Sequence, residues 1–252
     1  PERIAKALSS GADAVIVDLE DAVAPAAKDS ARQALRTWLG GPEAAPVWVR
    51  INGVTTPAFA ADLAACAVPA VQGVVLPKAE RAEDIATVTA ALPGKGVLPL
   101  VETAAGLAAA LEVARAPGVQ RLVFGTIDFQ ADLGIDGDGD ELLFFRSQLV
   151  LASRLAGLLA PVDGVTPALN DEARVEQETD RARRLGFGAK LCIHPAQVAA
   201  VHRAFAPSAR EIAWAQKVVH AADAAGGAAV AVDGAMVDAP VLLRARAILA
   251  RA

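Results

Sequence analysis

Seven short runs of apolar residues recur along the chain, and amphipathic stretches that end in Gly or Pro separate them. The runs lie at residues 14–18 (AVIVD), 47–51 (VWVRI), 73–77 (GVVLP), 97–101 (VLPLV), 121–125 (RLVFG), 161–164 (PVDG) and 189–193 (AKLCI). Continuously apolar strands that alternate with helices are typical of a parallel sheet that is buried on both faces. The pattern therefore predicts an α/β fold with seven parallel strands.

Seven strands are one short of the number in a (β/α)8, or TIM, barrel. The chain opens with Pro1, Glu2 and Arg3, which look like the start of a helix because proline is favoured in a first helical turn. We therefore predict a TIM barrel over residues 1–205 whose first strand is missing from this sequence. The alternative is an open, doubly wound sheet of seven strands.

Beyond the last apolar run, the pattern predicts helices at 197–205, 208–224 and 240–252, with a Gly-rich turn and an apolar stretch at 226–232. A barrel does not require these residues. We interpret 206–252 as a C-terminal helical extension that is available as a lid or as a contact between subunits.

Composition argues against some classes of partner but does not identify the function. The chain of 252 residues has a net charge of −5, which argues against a nucleic-acid partner. No run reaches the roughly 18 apolar residues of a membrane span, so no membrane partner is expected. Cys66 and Cys192 have neither zinc-site nor disulfide-framework spacing, and a cytoplasmic location is the simplest expectation.

Polar side chains stand at the end of nearly every apolar run. The carboxyl ends of the strands and the loops that follow them form the active face of a parallel barrel. Here these positions hold Asp18, Glu20, Asp21, Arg50, Asn52, Lys78, Glu102, Thr103, Asp128, Asp163 and His194. Their convergence on one rim predicts a functional site there.

Glu102 and Asp128 follow neighbouring strands, so their carboxylates are expected to lie close together across the rim. Two hard oxygen ligands, completed by water and substrate oxygens, are how Mg2+ is usually held. The alternative is that each carboxylate pairs with a cation such as Arg50 or Lys78 and that no metal binds.

Arg50 ends an otherwise apolar strand, and its guanidinium therefore needs an anionic or carbonyl partner. A substrate carboxylate or a developing enolate would suit this fork of donors, and so would an ion pair with Glu20 or Asp21. We interpret Asp18, Glu20 and Asp21 as supporting groups that orient metal-bound water, Lys28 and Arg50.

Two further rim residues have alternative roles. Lys78 is expected to attract a phosphate or carboxylate group, rather than to form a Schiff base. His194 is a candidate base, although we favour a hydrogen-bonded structural role or a place near a cofactor. The acidic run at 136–141 fails the calcium-loop pattern because Glu141 and Ser147 occupy its sixth and twelfth positions. This run is predicted to cap the helix that follows it.

Segments in a consistent order along nearly the whole chain resemble the citrate lyase beta-subunit-like proteins of the HpcH/HpaI aldolase group. They are GADAVIVDLEDAVAPAAKDSAR (11–32), VRING (49–53), GVVLPKAE (73–80), LPLVETAAGL (98–107), VFGTIDFQADLG (123–134), PVDGVTP (161–167), GFGAKLCIHPAQV (186–198) and AMVDAP (235–240). The resemblance implies a TIM barrel that assembles as a homotrimer or homohexamer.

The resemblance also implies a set of ligands. Mg2+, or Mn2+ as the alternative ion, would bind Glu102 and Asp128, and Arg50 would contact the substrate carbonyl or carboxylate. Arg3 and Lys6, in the first helix, would contact the phosphates of coenzyme A.

The implied reaction is the cleavage or formation of a 3-hydroxyacyl-CoA such as malyl-, citramalyl- or citryl-CoA by a Mg2+-dependent carbon–carbon lyase. Asp238, in the segment VDAP, matches an aspartate that reaches the site from a neighbouring subunit in related malyl-CoA and citramalyl-CoA lyases. It would return a proton to the enolate that Arg50 stabilises.

One departure from the family pattern leaves alternatives open. Ile127 stands where the family usually has a glutamate, so the hydrogen bonding behind Asp128 must differ. A class II pyruvate aldolase that acts on free 2-oxo acids is the alternative enzyme. A non-catalytic CoA-binding paralogue is the alternative outside the enzymes.

Overall fold

The computed structural model describes residues 2–225 and 229–252. Pro1 and the glycines of the predicted turn, Gly226 and Gly227, lie outside the described residues. The chain forms two compact units, residues 1–201 and residues 202–252.

Seven parallel strands form one sheet in the first unit, and all seven predicted strands are confirmed. They are β1 (Ile16–Asp18), β2 (Val47–Arg50), β3 (Val71–Leu76), β4 (Gly96–Val101), β5 (Val123–Phe124), β6 (Val162–Asp163) and β7 (Ala189–Lys190). Each strand pairs with the next one along the chain, in the order β1 to β7. This order excludes the doubly wound alternative, in which the strand order reverses at a switch point.

Helices precede, connect and follow the strands of this sheet. They are α1 (Glu2–Leu8), α2 (Lys28–Leu39), α3 (Phe59–Cys66), α4 (Ala82–Ala91), α5 (Ala104–Ala108), α6 (Ala110–Arg115), α7 (Thr126–Leu133), α8 (Leu143–Leu155), α9 (Glu172–Leu185) and α10 (Val198–Phe205), with short 3-10 turns at Pro25–Ala27, Asp140–Leu142 and Pro195–Gln197. A helix crossover between successive parallel strands is the connection that a parallel sheet requires.

The two faces of the sheet pack against different residues. On the inner face, the buried residues all come from strands: Trp48, Val75, Leu98, Leu100, Val123 and Val162. On the outer face, strand residues such as Val74 share a cluster with helix residues such as Leu35 and Ile85. The helices therefore cover one face of the sheet, as they do in a barrel.

Helix α7 begins directly after β5 and is bounded by two glycines. Gly125 precedes its first residue, and Gly134 ends it in the left-handed conformation, with φ of 67°. Glycine is favoured at this terminating position because it has no Cβ to clash. As a result, the first turn of α7 lies at the carboxyl end of β5.

The described residues of the second unit after α10 form two helices and a hairpin. Helix α11 (Ala209–Ala224) is followed by β8 (Val230–Val232), β9 (Ala235–Val237) and α12 (Ala239–Leu249). The strands are antiparallel and joined by Asp233 and Gly234, both at positive φ, which is the arrangement of a tight hairpin turn. The sequence pattern predicted the helices but not this hairpin. Among the described residues, no helix combines the length and apolarity needed to cross a bilayer.

Candidate active site

Asp18 and Arg50 form an ion pair at the carboxyl ends of β1 and β2. The parallel register places the two residues opposite each other. The Nε atom of Arg50 donates a hydrogen bond of 2.8 Å to Asp18 Oδ1, and Nη2 bonds to Oδ2 of the same carboxylate. This two-pronged contact fixes the plane of the guanidinium.

Two more carboxylates surround the guanidinium of Arg50. Its Nη1 atom lies 3.0 Å from Glu20 Oε2 and 3.4 Å from Asp21 Oδ2. Burial opposes ionisation of Asp18, but the hydrogen bonds and charge of Arg50 outweigh it and lower the pKa of that carboxyl. Burial likewise opposes the charge of Arg50, yet Asp18 and its neighbours raise the pKa of the guanidinium. Two roles were expected for Arg50, substrate binding and an ion pair with Glu20 or Asp21. The structure contains the ion pairs.

Lys28, the first residue of α2, holds the loop after β1 by hydrogen bonds to its backbone. Its Nζ atom donates to the carbonyl oxygens of Leu19 at 2.8 Å and of Glu20 at 2.7 Å. Backbone oxygens, rather than the carboxylates that we expected, thus orient this lysine.

Lys78 contributes its backbone to the site as well as its side chain. Its amide donates a hydrogen bond of 2.9 Å to Glu102 Oε1, and its φ of 47° lies in the left-handed region. A residue with a Cβ pays a steric cost there, and such outliers cluster at functional sites. The side chain is half exposed, with Nζ 3.7 Å from Glu20 Oε1.

Glu102 is buried, with 2% of its surface exposed, and it faces Asp128. Burial raises the pKa of Glu102 to about 8, with further contributions from the charge of Asp128 and a hydrogen bond between the two side chains. Gly125 makes room for this carboxylate, because a Cβ at that position would lie 2.6 Å from Glu102 Oε2. The expected proximity of Glu102 and Asp128 is therefore present in the structure.

We call these residues the mouth cluster: Asp18, Glu20, Asp21, Arg50, Lys78, Glu102 and Asp128. Five carboxylates face two cations in it, so the cluster carries excess negative charge. A divalent ion between Glu102 and Asp128 would offset that excess and favour ionised Glu102. Among the described residues, no group of three or more His, Cys, Asp or Glu side chains is arranged to hold a metal ion. Mg2+ commonly binds one or two protein carboxylates together with water and substrate oxygens.

The other predicted binding residues lie elsewhere in the chain. Arg3 and Lys6 are exposed side chains of α1. Asp238 belongs to the second unit, where it caps α12 by accepting a hydrogen bond of 3.3 Å from the amide of Val241. The functional roles of these three residues stay predictions.

Two of the polar residues expected at the rim are buried. Asp163 follows the inner-face residue Val162 and therefore points to the outer face, where its Oδ1 atom accepts a hydrogen bond of 2.8 Å from Arg146. Asn52 is 5% exposed and donates to the Leu19 carbonyl, so it is buried beside the loop that follows β1. The expected placement of Asp163 at the rim was wrong because polarity after a strand does not reveal which face a side chain takes.

Two rim residues serve as local caps. Thr103 caps α5 by accepting from the amide of Gly106, and the Nδ1 atom of His194 accepts from the amide of Ala196. The cap predicted for the acidic run at 136–141 was wrong, because neither the 3-10 turn at Asp140–Leu142 nor α8 has a side-chain cap. Asp138 instead binds both Arg146 and Arg181, so its carboxylate is neutralised by arginines.

Sequence reasoning missed the role of Asp62, on α3. Its carboxylate is 1% exposed and binds Arg32 and Asn52. The signal was present, since Asp62 lies three residues after Phe59 and four before Cys66, on the apolar face of the helix. A charged residue on such a face needs a buried partner.

The family follows from a comparison with known proteins. A model of the HpcH/HpaI aldolase/citrate lyase family matches residues 1–195. The chain belongs to this family. The predicted family is thereby confirmed, together with its enzyme class of carbon–carbon lyases.

Named relatives in the family cover nearly the whole chain. A citrate lyase subunit beta-like protein of Deinococcus radiodurans is 39% identical and covers 98% of this chain and 91% of its own. A (3S)-malyl-CoA thioesterase of Cereibacter sphaeroides is 37% identical and covers 98% and 89%. The crystal structure of CitE from Mycobacterium tuberculosis with magnesium, acetoacetate and coenzyme A has a TM-score of 0.88 at 38% identity, over 100% of this chain and 93% of CitE.

Proposed function

We propose that this protein is a Mg2+-dependent lyase that cleaves or forms the carbon–carbon bond of a 3-hydroxyacyl-CoA, with malyl-, citramalyl- and citryl-CoA as the substrate class. The observation that carries the proposal is the pair Glu102 and Asp128 at the ends of neighbouring strands, within a cluster that has excess negative charge. The sequential strand order and one-sided helix layer support a TIM-barrel fold as part of this proposal.

In the proposed site, Glu102 and Asp128 hold the metal. A bound Mg2+ supplies Lewis acidity to the oxygen that becomes a carbonyl when the bond breaks. Arg50, whose plane is fixed by Asp18, stabilises the negative charge of the enolate on the thioester fragment. Lys78 provides positive charge for the substrate carboxylate.

The reaction needs an acid at the enolate carbon, and we propose Asp238 for that role. A base accepts the proton of the substrate hydroxyl, the carbon–carbon bond breaks, and its electron pair becomes the enolate of the acyl-CoA product. Asp238, supplied by a neighbouring subunit of a homotrimer or homohexamer, gives a proton to the enolate carbon. In the synthetic direction Asp238 removes that proton.

Relatives support the choice of a thioester substrate. Coenzyme A and magnesium are bound in the CitE structure, and the Cereibacter relative is named for malyl-CoA. In this chain, Arg3 and Lys6 on α1 are proposed to contact the phosphates of coenzyme A.

The test is a Mg2+-dependent cleavage assay with malyl-, citramalyl- and citryl-CoA on the wild-type protein and on Glu102→Gln. We expect the substitution to lower kcat/KM by about 10²–10³-fold, since a charged ligand of the metal that would polarise the reacting oxygen is lost. Glu178→Gln is the matched control, because Glu178 is also a buried carboxylate but lies on α9 and contacts Thr166 and Arg174. Cleavage of none of the three thioesters by the wild type, or full activity of Glu102→Gln, would refute the proposal.

Thioester hydrolysis is the second candidate, because the 37% identical Cereibacter relative is a (3S)-malyl-CoA thioesterase. The products separate the two reactions. A lyase converts malyl-CoA to acetyl-CoA and glyoxylate, whereas a thioesterase releases malate and free coenzyme A.

A further inference from the structure

Asp62 is a buried carboxylate outside the mouth cluster that uses both of its oxygens. Its Oδ1 atom accepts a hydrogen bond of 2.8 Å from Nε of Arg32 on α2. Its Oδ2 atom accepts from Asn52 twice, at 2.9 Å from the backbone amide and at 2.6 Å from Nδ2. With 1% of its surface exposed, this carboxylate has little solvent to replace a lost partner.

Asn52 connects Asp62 to the loop after β1. Its Nδ2 atom also donates to the carbonyl oxygen of Leu19, at 2.9 Å. The acceptor role of Asp62 determines which way the Asn52 amide points, because only the NH2 group can donate to both oxygens.

The Leu19 backbone lies next to the groups that hold Arg50. The amide of Leu19 donates to the Arg50 carbonyl at 2.9 Å, and the amide of Glu20 donates to Asp18 Oδ1 at 2.8 Å. Asp18 in turn binds the guanidinium of Arg50 through both oxygens. A displacement of Leu19 would therefore move Asp18 and Glu20 relative to Arg50.

We propose that Asp62 is a positioning residue: it orients Asn52, Asn52 fixes the Leu19 carbonyl, and the loop at 18–21 thereby presents Arg50 in the geometry that the reaction uses. The catalytic consequence rests on the proposed function, whereas the effect on the loop does not. Arg50 acts on charge that develops during bond cleavage, so loss of Asp62 lowers kcat more than it raises KM.

The experiment compares Asp62→Asn and Asn52→Ala with Glu178→Gln. The two test variants cut the same connection at different points, and Asn52→Ala retains the pair between Asp62 and Arg32. Glu178 is a fair control because it, too, is a buried carboxylate on an outer helix that binds an arginine and a polar residue after a strand. Amide hydrogen exchange of residues 17–22 measures the loop, and steady-state kinetics with malyl-CoA measures the site.

We expect exchange at 17–22 to become about tenfold faster in both test variants, and kcat to fall by about 10–100-fold, as for other supporting contacts. The double variant should be no worse than the more affected single variant, and Glu178→Gln should match the wild type in both measurements. If Asp62→Asn does not fold, Asn52→Ala decides alone.

Folded variants whose loop exchanges at the wild-type rate would overturn the proposal, as would an equal effect of Glu178→Gln. If the wild type cleaves no thioester, the proposed function fails, but the exchange rates still decide whether Asp62 holds the loop.

Discussion

The protein contains two groups of charged residues that differ in how their charges are paired. In the mouth cluster, five carboxylates face two cations, and Lys78 is half exposed. We call the second group the outer network: Asp138, Arg146, Asp163, Glu178 and Lys190, with Arg174 and Arg181 at its edge. It lies on the outer face of the sheet, where three carboxylates face four cations.

The two groups differ in whether their buried charges have partners of opposite charge. Arg146 is 1% exposed and binds Asp163 and Asp138, and Lys190 donates to the Gly164 carbonyl at 2.8 Å. The outer network thus gives each of its buried charged groups a partner of opposite charge within 3.9 Å. The mouth cluster does not, and its most buried carboxyl, Glu102, has its pKa raised to about 8. A buried carboxyl that lies beside a second carboxyl, as Glu102 lies beside Asp128, is therefore a better sign of ligand binding than charge itself.

The largest expected effect is on stability in the outer network. Asp163→Asn should lower the free energy of unfolding by about 3–5 kcal/mol, because Arg146 would stay buried beside a lost charge. Glu102→Gln should leave stability unchanged or raise it, since burial disfavours the Glu102 charge and a glutamine oxygen still accepts from Lys78. Urea unfolding of both variants without metal provides the measurement. An equal loss in the two variants would remove the contrast between the clusters.

The next effect concerns geometry within the mouth cluster. Arg50→Lys should lower kcat/KM by about 10²-fold, equivalent to about 2.7 kcal/mol of barrier. Lysine retains the charge but lacks the planar fork that binds both oxygens of Asp18. Cleavage kinetics at saturating Mg2+ measure the loss. Arg174→Lys, on the exposed edge of the outer network, is the matched control and should keep full activity.

A smaller effect tests the backbone at Lys78. Lys78→Gly should be more stable than Lys78→Ala by about 1 kcal/mol, because only glycine adopts a φ of 47° without a Cβ clash. The comparison isolates the backbone, since both variants lose the same ammonium group. Thermal unfolding of the pair measures it, and greater stability of the alanine variant would show that no strain is stored there.

The smallest effect is a pH dependence. The pKa of Asp18 is below its ordinary value of 3.8 in the folded protein. Its stabilising contribution is therefore fully present above that value and is lost as the pH falls through the lowered pKa. The stability difference between the wild type and Asp18→Asn, about 1 kcal/mol, should stay constant from pH 7 to 5 and shrink below pH 4. A difference that grows on acidification would mean that the pKa is raised.

The sequence predicted well what depends on local pattern. Continuous apolar runs located every strand of the sheet, and the strand ends located Glu102, Asp128 and Arg50. It failed where one residue of register matters: Asp163 follows Val162 directly, and in a two-residue strand nothing in the pattern reveals which side chain faces inward.

Other features escaped because their partners are distant in sequence. Asp62 looks like one polar residue of an alanine-rich helix until Arg32 and Asn52 are found beside it. The role of the Lys78 amide depends on a backbone angle that its side chain disfavours, so residue preferences point away from it.

Gly125 limits which substitutions this site can accept during evolution. Because any side chain there would meet the Glu102 carboxylate, a one-step replacement of the glycine would also dislodge the acid that the reaction is proposed to need. A lineage that alters position 125 must first shorten or relocate residue 102, and so pass through a form without this pair of acids. Library designs aimed at new substrates would do better to hold both positions constant and vary the exposed neighbour, Ile127.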